Sequence, residues 1–210
     1  MNQSFANTGR LLAAGLRALL ALTLLTGVVY PLVVTGVAQA LLGHRANGSE
    51  VRESGRVVGS SLIGQQHYGL DYFQPRPAAG LGTSTLNTQY KLILSGATNL
   101  AADNPKLVKA IEQARAEVVR VNSTSDYKVK PSQVPADAVT SSGSGLDPDI
   151  SPAYALLQAH RVAERNHLSV ARVEHLVRDH TESRTLGFIG EPRVNVLQLN
   201  IALRELTTGR

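Results

Sequence analysis

The chain of 210 residues contains no cysteine. Disulfides, thiolate zinc sites and cysteine nucleophiles are therefore excluded, although the absence of cysteine does not fix the cellular compartment. Charge is also scarce: charged residues make up 18% of the sequence, below the quarter or so that is usual for soluble domains. The deficit has a location, since no acidic residue precedes Glu50 and only Arg10 and Arg17 carry a side-chain charge before residue 44.

The remaining charge gives no sign of a nucleic-acid surface. The formal net charge is +5, and setting aside Arg10 and Arg17 leaves 19 of the 21 basic residues against all 16 acidic ones. These basic residues are scattered among acids, with neither a Lys/Arg run nor interleaved aromatic residues. We therefore expect an ordinary solvated surface and no nucleic-acid partner.

Residues 18–42 form an uncharged, apolar run of 25 residues. As a helix with a rise of about 1.5 Å per residue it would extend about 37 Å, which exceeds the hydrocarbon core of a bilayer, about 30 Å thick. The run predicts a transmembrane helix in the lipid bilayer, disturbed at Pro31 because proline frees a backbone carbonyl. The alternative is a signal peptide cleaved after Ala40, but the run is longer than the apolar region of about 7–15 residues found in such leaders.

Small residues recur at every fourth position of this run, at Thr23, Gly27 and Pro31. Such a stripe lets another helix approach closely, so we predict membrane-helix packing there. The flanking charges do not decide the orientation of the helix. Arg10 and Arg17 precede the run, and three arginines follow soon after it, so a positive-inside count favours neither side.

The sequence beyond the run predicts one mixed α/β domain over residues 43–210. The fold class is therefore α/β, with one N-terminal transmembrane helix followed by this domain. A polar neck over residues 43–56 contains a turn at residues 47–49, and the β-branched residues 57–63 predict a strand. Residues 72–77 should be extended, because each proline disfavours a helical conformation of its predecessor.

Capping residues mark three helix starts. Asp103 or Asn104, followed by proline, predicts the first helix, and Ser151, also followed by proline, predicts a second one as far as about residue 166. Ser169 predicts the third. Residues 194–206 predict a strand that continues into a closing helix.

No single motif predicts a reaction. None of the six histidines lies three or four positions from another, the spacing that would place two metal ligands on one helix face, so no metal site is predicted. The Ser/Gly loop at residues 141–145 could hold phosphate with backbone amides. It lacks the Lys-Ser/Thr ending of a P-loop, and a turn leading to Ser151 is the simpler interpretation. No Ser/His/Asp arrangement predicts a nucleophile, and no catalytic residue is expected.

Six short motifs nevertheless follow one another in order along the chain. They are residues 59–65 (Gly-Ser-Ser-Leu-Ile-Gly-Gln), 72–77 (Tyr-Phe-Gln-Pro-Arg-Pro), 95–100 (Ser-Gly-Ala-Thr-Asn-Leu), 142–147 (Ser-Gly-Ser-Gly-Leu-Asp), 150–152 (Ile-Ser-Pro) and 194–200 (Val-Asn-Val-Leu-Gln-Leu-Asn). With the Gly-Val-Val-Tyr-Pro-Leu sequence of the anchor, they resemble the KdpC family, the C subunit of the Kdp-type potassium-transporting P-type ATPase. The resemblance covers nearly the whole chain. Ala97 and Thr98 depart from it, because the family has glycine and serine there.

The resemblance implies a complex in the bacterial inner membrane. In it, a potassium-channel-like subunit takes up K⁺, a catalytic P-type ATPase subunit is phosphorylated, and a small single-helix subunit completes the assembly. The C subunit is expected to be non-catalytic, to assist assembly and to raise the ATP affinity of the catalytic subunit as a catalytic chaperone. Residues 1–17 would be a cytoplasmic tail, 18–42 the transmembrane helix and 43–210 a periplasmic domain beside the K⁺-entry subunit.

The resemblance also implies one nucleotide contact. A glutamine in the helix after the Ser-Pro cap is proposed for the family to bind ATP, and by that motif it corresponds to Gln158. A periplasmic domain cannot reach cytoplasmic ATP, so a helix-capping or interface role for Gln158 is the simpler alternative. The alternative function is a membrane-anchored, nucleotide-binding regulatory domain that faces the cytoplasm. A secreted enzyme released by cleavage after Ala40 is the third hypothesis.

Overall fold

The structure is a computed structural model that describes residues 2–65, 68–77, 81–83, 91–93 and 95–209. The chain divides into two compact units, Met1–Ser49 and Glu50–Arg210. The first is helical and the second combines helices with short strands. The predicted fold class, an apolar N-terminal helix followed by a mixed α/β region, is confirmed.

The first unit is one long helical segment, in which the backbone of Leu42 departs from helical geometry with φ −133° and ψ 34°. Helix α1 (Asn2–Leu24) continues through a π-helical turn (Leu25–Val29) into helix α2 (Tyr30–Ala46). Residues Asn7–Ala46 are long and apolar enough to cross a membrane, and none of the most apolar stretch is buried within the protein. The helical conformation thus extends beyond residues 18–42 at both ends, and the membrane boundaries within it remain a prediction.

Pro31 explains the π-helical turn. A proline ring collides with the carbonyl four residues earlier and offers no N–H of its own, and that carbonyl belongs to Gly27, inside the turn. The wider turn is closed by the Tyr30 N–H, which donates to the Leu25 carbonyl instead of the one four residues before it. The predicted disturbance at Pro31 is therefore confirmed as a local π-bulge, a feature that membrane helices tolerate.

The second unit begins with an antiparallel hairpin of β1 (Glu50–Glu53) and β2 (Arg56–Ser60), with a bulge between Val51 and Arg52. Strands β3 (Leu81–Thr83) and β4 (Lys91–Ile93) form a second antiparallel pair. The strand predicted at residues 57–63 is confirmed only as far as Ser60. The turn predicted at residues 47–49 is also confirmed, with Gly48 in the left-handed region at φ 84°.

Helices and a small sheet follow. Helix α3 (Pro105–Asn122) leads through irregular segments to strand β5 (Asp149–Ile150), and then come helices α4 (Pro152–Arg165) and α5 (Val170–Asp179). Strand β6 (Thr181–Glu182), strand β7 (Arg193–Asn195) and helix α6 (Val196–Thr208) complete the unit. Strand β7 lies between β5 and β6, and both pairings are antiparallel.

All three predicted caps are confirmed. The side chains of Asn104, Ser151 and Ser169 accept hydrogen bonds from the first turns of α3, α4 and α5. Side chains of α4, α5, α6, strand β7 and the extended segment at residues 72–77 enclose the core. Its largest fully buried apolar residues are Phe73, Val162, Val173, Val177, Val194, Leu199 and Leu203.

Candidate functional site

The extended segment at residues 72–77 is the centre of the candidate site. Pro75 and Pro77 keep it out of a helix, since proline disfavours the helical conformation of the residue before it. Phe73 is fully buried in the core and fixes the segment against the helices. An extended chain lacks internal hydrogen bonds, so its buried N–H and C=O groups require partners from elsewhere.

Two side-chain amides supply those partners. The Phe73 N–H donates to Asn200 Oδ1 at 2.8 Å, and Asn200 Nδ2 donates to the Phe73 carbonyl at 3.0 Å. The Gln74 N–H donates to Gln158 Oε1 at 2.7 Å, and Gln158 Nε2 donates to the Gln74 carbonyl at 3.1 Å. In an extended chain the peptide groups of consecutive residues point in opposite directions. Asn200 on α6 and Gln158 on α4 therefore bond the segment from opposite sides. Each side-chain amide makes the two backbone hydrogen bonds that a neighbouring strand would otherwise make.

Arg161 completes the arrangement as a buried cation, with 2% of its surface exposed. Its guanidinium donates to the Leu70 and Tyr72 carbonyls, to Gln158 Oε1 at 2.7 Å and to Asn122 Oδ1 at 2.9 Å. No carboxylate in the described ranges forms an ion pair with it, so neutral oxygens compensate the charge. Burial lowers the pKa of Arg161 to about 10, which still leaves it charged at neutral pH.

The other motifs converge on the same segment. Arg76 forms an ion pair with Asp147 at 2.9 Å and also donates to the Thr140 carbonyl. The Gly64 N–H donates to the Leu146 carbonyl at 2.7 Å, and a Cβ on Gly64 would lie 2.7 Å from the Asp147 carbonyl oxygen. Because that contact is too close for any side chain, glycine is required at position 64.

The structure thus brings together motifs that lie far apart in sequence. Gly96, in the motif at residues 95–100, donates its N–H to the Ser144 carbonyl at 2.7 Å. Asn195 caps α6 and also donates to the Ser61 carbonyl at 2.9 Å. The other five motifs therefore contact either the extended segment or a motif that contacts it, the Ile-Ser-Pro motif through the pairing of Ile150 with Val194.

Gln158 lies inside this network and is fully buried. Its carboxamide bonds both peptide groups of Gln74 and the Arg161 guanidinium. It is not a helix cap, because the Ser151 hydroxyl accepts the hydrogen bond from the Tyr154 N–H at 3.0 Å. A nucleotide contact by Gln158 remains a prediction, and it would require at least one of these hydrogen bonds to open.

An open groove of about 460 Å³ runs beside the network. Residues 74–77 form one wall, and Ala114, Glu117 and Val118 of α3 contribute to the other. Because Gln158 hydrogen-bonds the backbone of Gln74, it helps to position this wall of the groove.

The Ser/Gly loop at residues 141–145, considered for phosphate binding, is closed by local hydrogen bonds. The Gly145 N–H donates to the Ser142 hydroxyl at 3.0 Å, and the N–H of Leu146, directly after the loop, donates to the Ser144 hydroxyl at 3.1 Å. The described residues contain no group of three or more potential metal ligands, and His67 lies outside them. His160 instead stacks on the Tyr127 ring, with 3.8 Å between the ring centroids.

The predicted packing stripe lies on an exposed part of the long helix. Thr23 is near the end of α1, Gly27 is in the π-helical turn and Pro31 is in the first turn of α2. Outside its two chain neighbours and the backbone of its own helix, no described atom lies within 4 Å of the position that a Cβ on Gly27 would take. The stripe is free to contact another helix, and such a contact stays a prediction.

Sequence reasoning missed Asn200, Arg161 and Asn122. Asn200 occupies a position within the apolar stripe of α6, next to the buried Leu199 and one turn before Leu203. A polar residue at a core position of an amphipathic helix signals a buried hydrogen bond. Arg161 follows Gln158 by three residues, so both lie on one helix face. These signals were present in the sequence, but they do not specify the partner.

Comparison with known proteins gives consistent matches along the chain. A family model described as "KdpC: K+-transporting ATPase, c chain" matches residues 12–205. A relative named potassium-transporting ATPase KdpC subunit, from Streptomyces avermitilis, is 65% identical over 218 positions, which cover 98% of each chain. A protein of the same name from Streptomyces coelicolor is 62% identical, and the match covers 98% of this chain and 97% of the relative. One from Mycobacterium tuberculosis is 46% identical, and the match covers 94% of this chain and 99% of the relative.

Proposed function

The chain belongs to the KdpC family, the c chains of K⁺-transporting ATPases, and from this membership we propose that it is the non-catalytic accessory subunit of a high-affinity K⁺ uptake pump. Its role is to assist assembly of the complex and to raise the ATP affinity of the catalytic subunit. The observation that carries the proposal is the family match over residues 12–205, which includes the apolar helix as well as the α/β unit.

The geometry of the α/β unit supports a positioning role. Three buried polar side chains of this unit bond backbone: Gln158, Asn200 and Arg161 all bond carbonyls or amides of residues 70–74. Such a network makes a single, well-defined surface, because each buried group has one set of partners. A defined surface on a membrane anchor suits a subunit that docks onto larger chains.

The proposed partners are a potassium-channel-like subunit, a catalytic P-type ATPase subunit and a small single-helix subunit, all in the bacterial cytoplasmic membrane. We place the N-terminus in the cytoplasm and the α/β unit on the opposite side, beside the K⁺-entry subunit. In that orientation the effect on ATP affinity passes through the partner chains. Direct ATP binding by Gln158 belongs to the alternative, a nucleotide-binding regulatory unit that faces the cytoplasm.

Because the natural chain has no cysteine, single cysteines can test the orientation. Asn7→Cys and Gln113→Cys introduce thiols at two exposed positions, one at each end of the proposed arrangement. A membrane-impermeant maleimide added to intact cells or spheroplasts is expected to label position 113 and to spare position 7 until the membrane is opened. The reverse pattern would reject the proposed orientation and favour the cytoplasmic regulator.

The accessory role is tested in cells that lack only this chain. High-affinity K⁺ uptake is expected to be lost and to return with the full-length gene, while the chain should co-purify with the other pump subunits. The KM for ATP of the complex assembled without it should rise. Normal uptake and an unchanged KM in its absence would refute the proposal.

A further inference from the structure

The π-helical turn leaves the carbonyl of Thr26 without a backbone donor. In an α-helix this carbonyl accepts from the N–H four residues later, but the Tyr30 N–H donates to the Leu25 carbonyl instead. In a π-helix the donor lies five residues later, and that residue is Pro31, which has no N–H. Val29, three residues later, belongs to the π-helical turn itself, in which N–H groups bond five residues back. The Thr26 carbonyl is therefore an open hydrogen-bond acceptor.

The surroundings of this carbonyl leave the acceptor accessible. The Thr26 hydroxyl does not fill it, because that hydroxyl donates to the Leu22 carbonyl at 2.7 Å. The next residue, Gly27, has no side chain to cover it. Apart from its chain neighbours and its own helix backbone, no described atom comes within 4 Å of the place of a Gly27 Cβ. A group from another molecule can therefore reach the Thr26 oxygen.

The open acceptor lies deep in the apolar run. Thr26 is the ninth of the 25 uncharged residues 18–42, so it lies about 12 Å from the start of a run about 37 Å long. In the predicted transmembrane arrangement this depth is inside the hydrocarbon. Lipid chains have no hydrogen-bond donors and water is absent there, so an unsatisfied backbone carbonyl is strongly unfavourable. A donor at this depth has to come from a protein.

We propose that the Thr26 carbonyl is the acceptor site for a polar side chain on a transmembrane helix of another subunit of the ATPase complex. The inference rests on the proposed function, because that function supplies the neighbouring helices. The partner helix would place a hydroxyl or amide donor, from serine, threonine, asparagine or glutamine, about 3 Å from this oxygen. Gly27 permits the close approach that such a bond needs.

Pro31→Ala tests the acceptor and keeps a small side chain at the helix surface. An alanine has an N–H, and this N–H closes the site in either of two ways. If the π-helical turn persists, the new N–H donates to the Thr26 carbonyl. If the turn reverts to an α-helix, the Tyr30 N–H does so. Retention of pump subunits on an affinity column through a detergent wash should therefore fall about three- to thirtyfold, as expected for one interhelical hydrogen bond. Leu32→Ala changes no backbone donor and is the matched control, with unchanged retention.

Isotope-edited infrared spectroscopy observes the carbonyl directly. A full-length chain with ¹³C=¹⁸O at Thr26 carries one labelled carbonyl, whose stretching frequency falls when it accepts a hydrogen bond. This frequency should fall when the labelled chain is assembled with the pump subunits. The same label at Leu20, inside helix α1, should show no change. An unchanged Thr26 frequency in the assembled complex would overturn the acceptor site, and so would natural-level retention of pump subunits by the helical Pro31→Ala variant.

Photo-crosslinking identifies the molecule that supplies the donor. Tyr30 lies one turn after Thr26 and is 65% exposed, and benzoylphenylalanine in its place keeps an aromatic side chain. We expect an adduct with one pump subunit in the assembled membrane complex. Adducts with lipid alone, or with a second copy of this chain alone, would contradict the proposed partner. If the natural chain itself retains no pump subunit, the proposed function fails as well, so the two failures are distinguishable.

Discussion

Replacing Gln158 with leucine tests whether its carboxamide holds the fold or contacts nucleotide. Leucine has a similar volume, so the main change is the loss of hydrogen bonds. It leaves the Gln74 N–H, the Gln74 carbonyl and one N–H of Arg161 without their partner. Each buried polar group left unsatisfied costs about 1–3 kcal/mol. The Gln74 groups are only partly buried, so we expect a total loss of about 3 kcal/mol.

The loss is measurable as a shift in thermal unfolding. For a protein of this size about 1 kcal/mol corresponds to about 2–4 °C, so the Gln158→Leu variant should melt about 10 °C lower. The full-length chain in detergent is suitable, with near-UV circular dichroism reporting on buried tyrosines such as Tyr154. Gln113→Leu, at an exposed position of α3, is the control and should change stability by less than about 0.5 kcal/mol.

The opposite result would refute the structural interpretation. If Gln158→Leu melts within a degree or two of the natural chain while the KM for ATP of the assembled pump rises, the carboxamide is available to a ligand. A lower melting temperature with an unchanged KM, measured below the transition, would support the backbone-holding role.

Three further predictions concern other parts of the chain. Gly27→Leu should weaken co-purification with the pump subunits, whereas Gly36→Leu, which lies outside the stripe and is equally open in this chain, should not; equal effects of the two would argue against the stripe. Ser151→Ala removes the cap that accepts the Tyr154 N–H and should cost about 1–2 kcal/mol in denaturant unfolding. Burial raises the pKa of Asp149 in spite of its arginine partner, so its contribution to stability is fully present at low pH and is lost as the pH rises through the folded-state pKa. Asp149→Asn should therefore reduce the destabilisation that accompanies this rise, and an identical pH profile for the two chains would contradict the expectation.

The local features of the fold followed from short stretches of sequence. The caps at Asn104, Ser151 and Ser169 were predictable because a cap needs only a small polar side chain and the N–H groups two or three residues later. Pro31 predicted its disturbance for the same reason, since its ring acts on a carbonyl four residues away. The long apolar run predicted a helix because no charge interrupts it.

The short strands were not predictable. Strands β5 and β6 are two residues each, too short for an alternating pattern to emerge. Strand β5 forms because Asp149 and Ile150 pair with Asn195 and Val194, which lie more than forty residues later in the chain. Pairing at such a distance depends on how the helices between the strands pack, and sequence periodicity contains no information about it.

The sequence by itself determined the long apolar helix, the helix starts and the family, because each depends on neighbouring residues or on an ordered series of motifs. Only the tertiary structure decided what the polar motif residues do. Gln158 was marked by its motif as a possible ligand contact, yet its amide bonds the backbone of Gln74, 84 positions earlier. The physical reason is that an extended segment inside a core needs hydrogen-bond partners from outside itself, and the packing of α4 and α6 against it selects which side chains provide them.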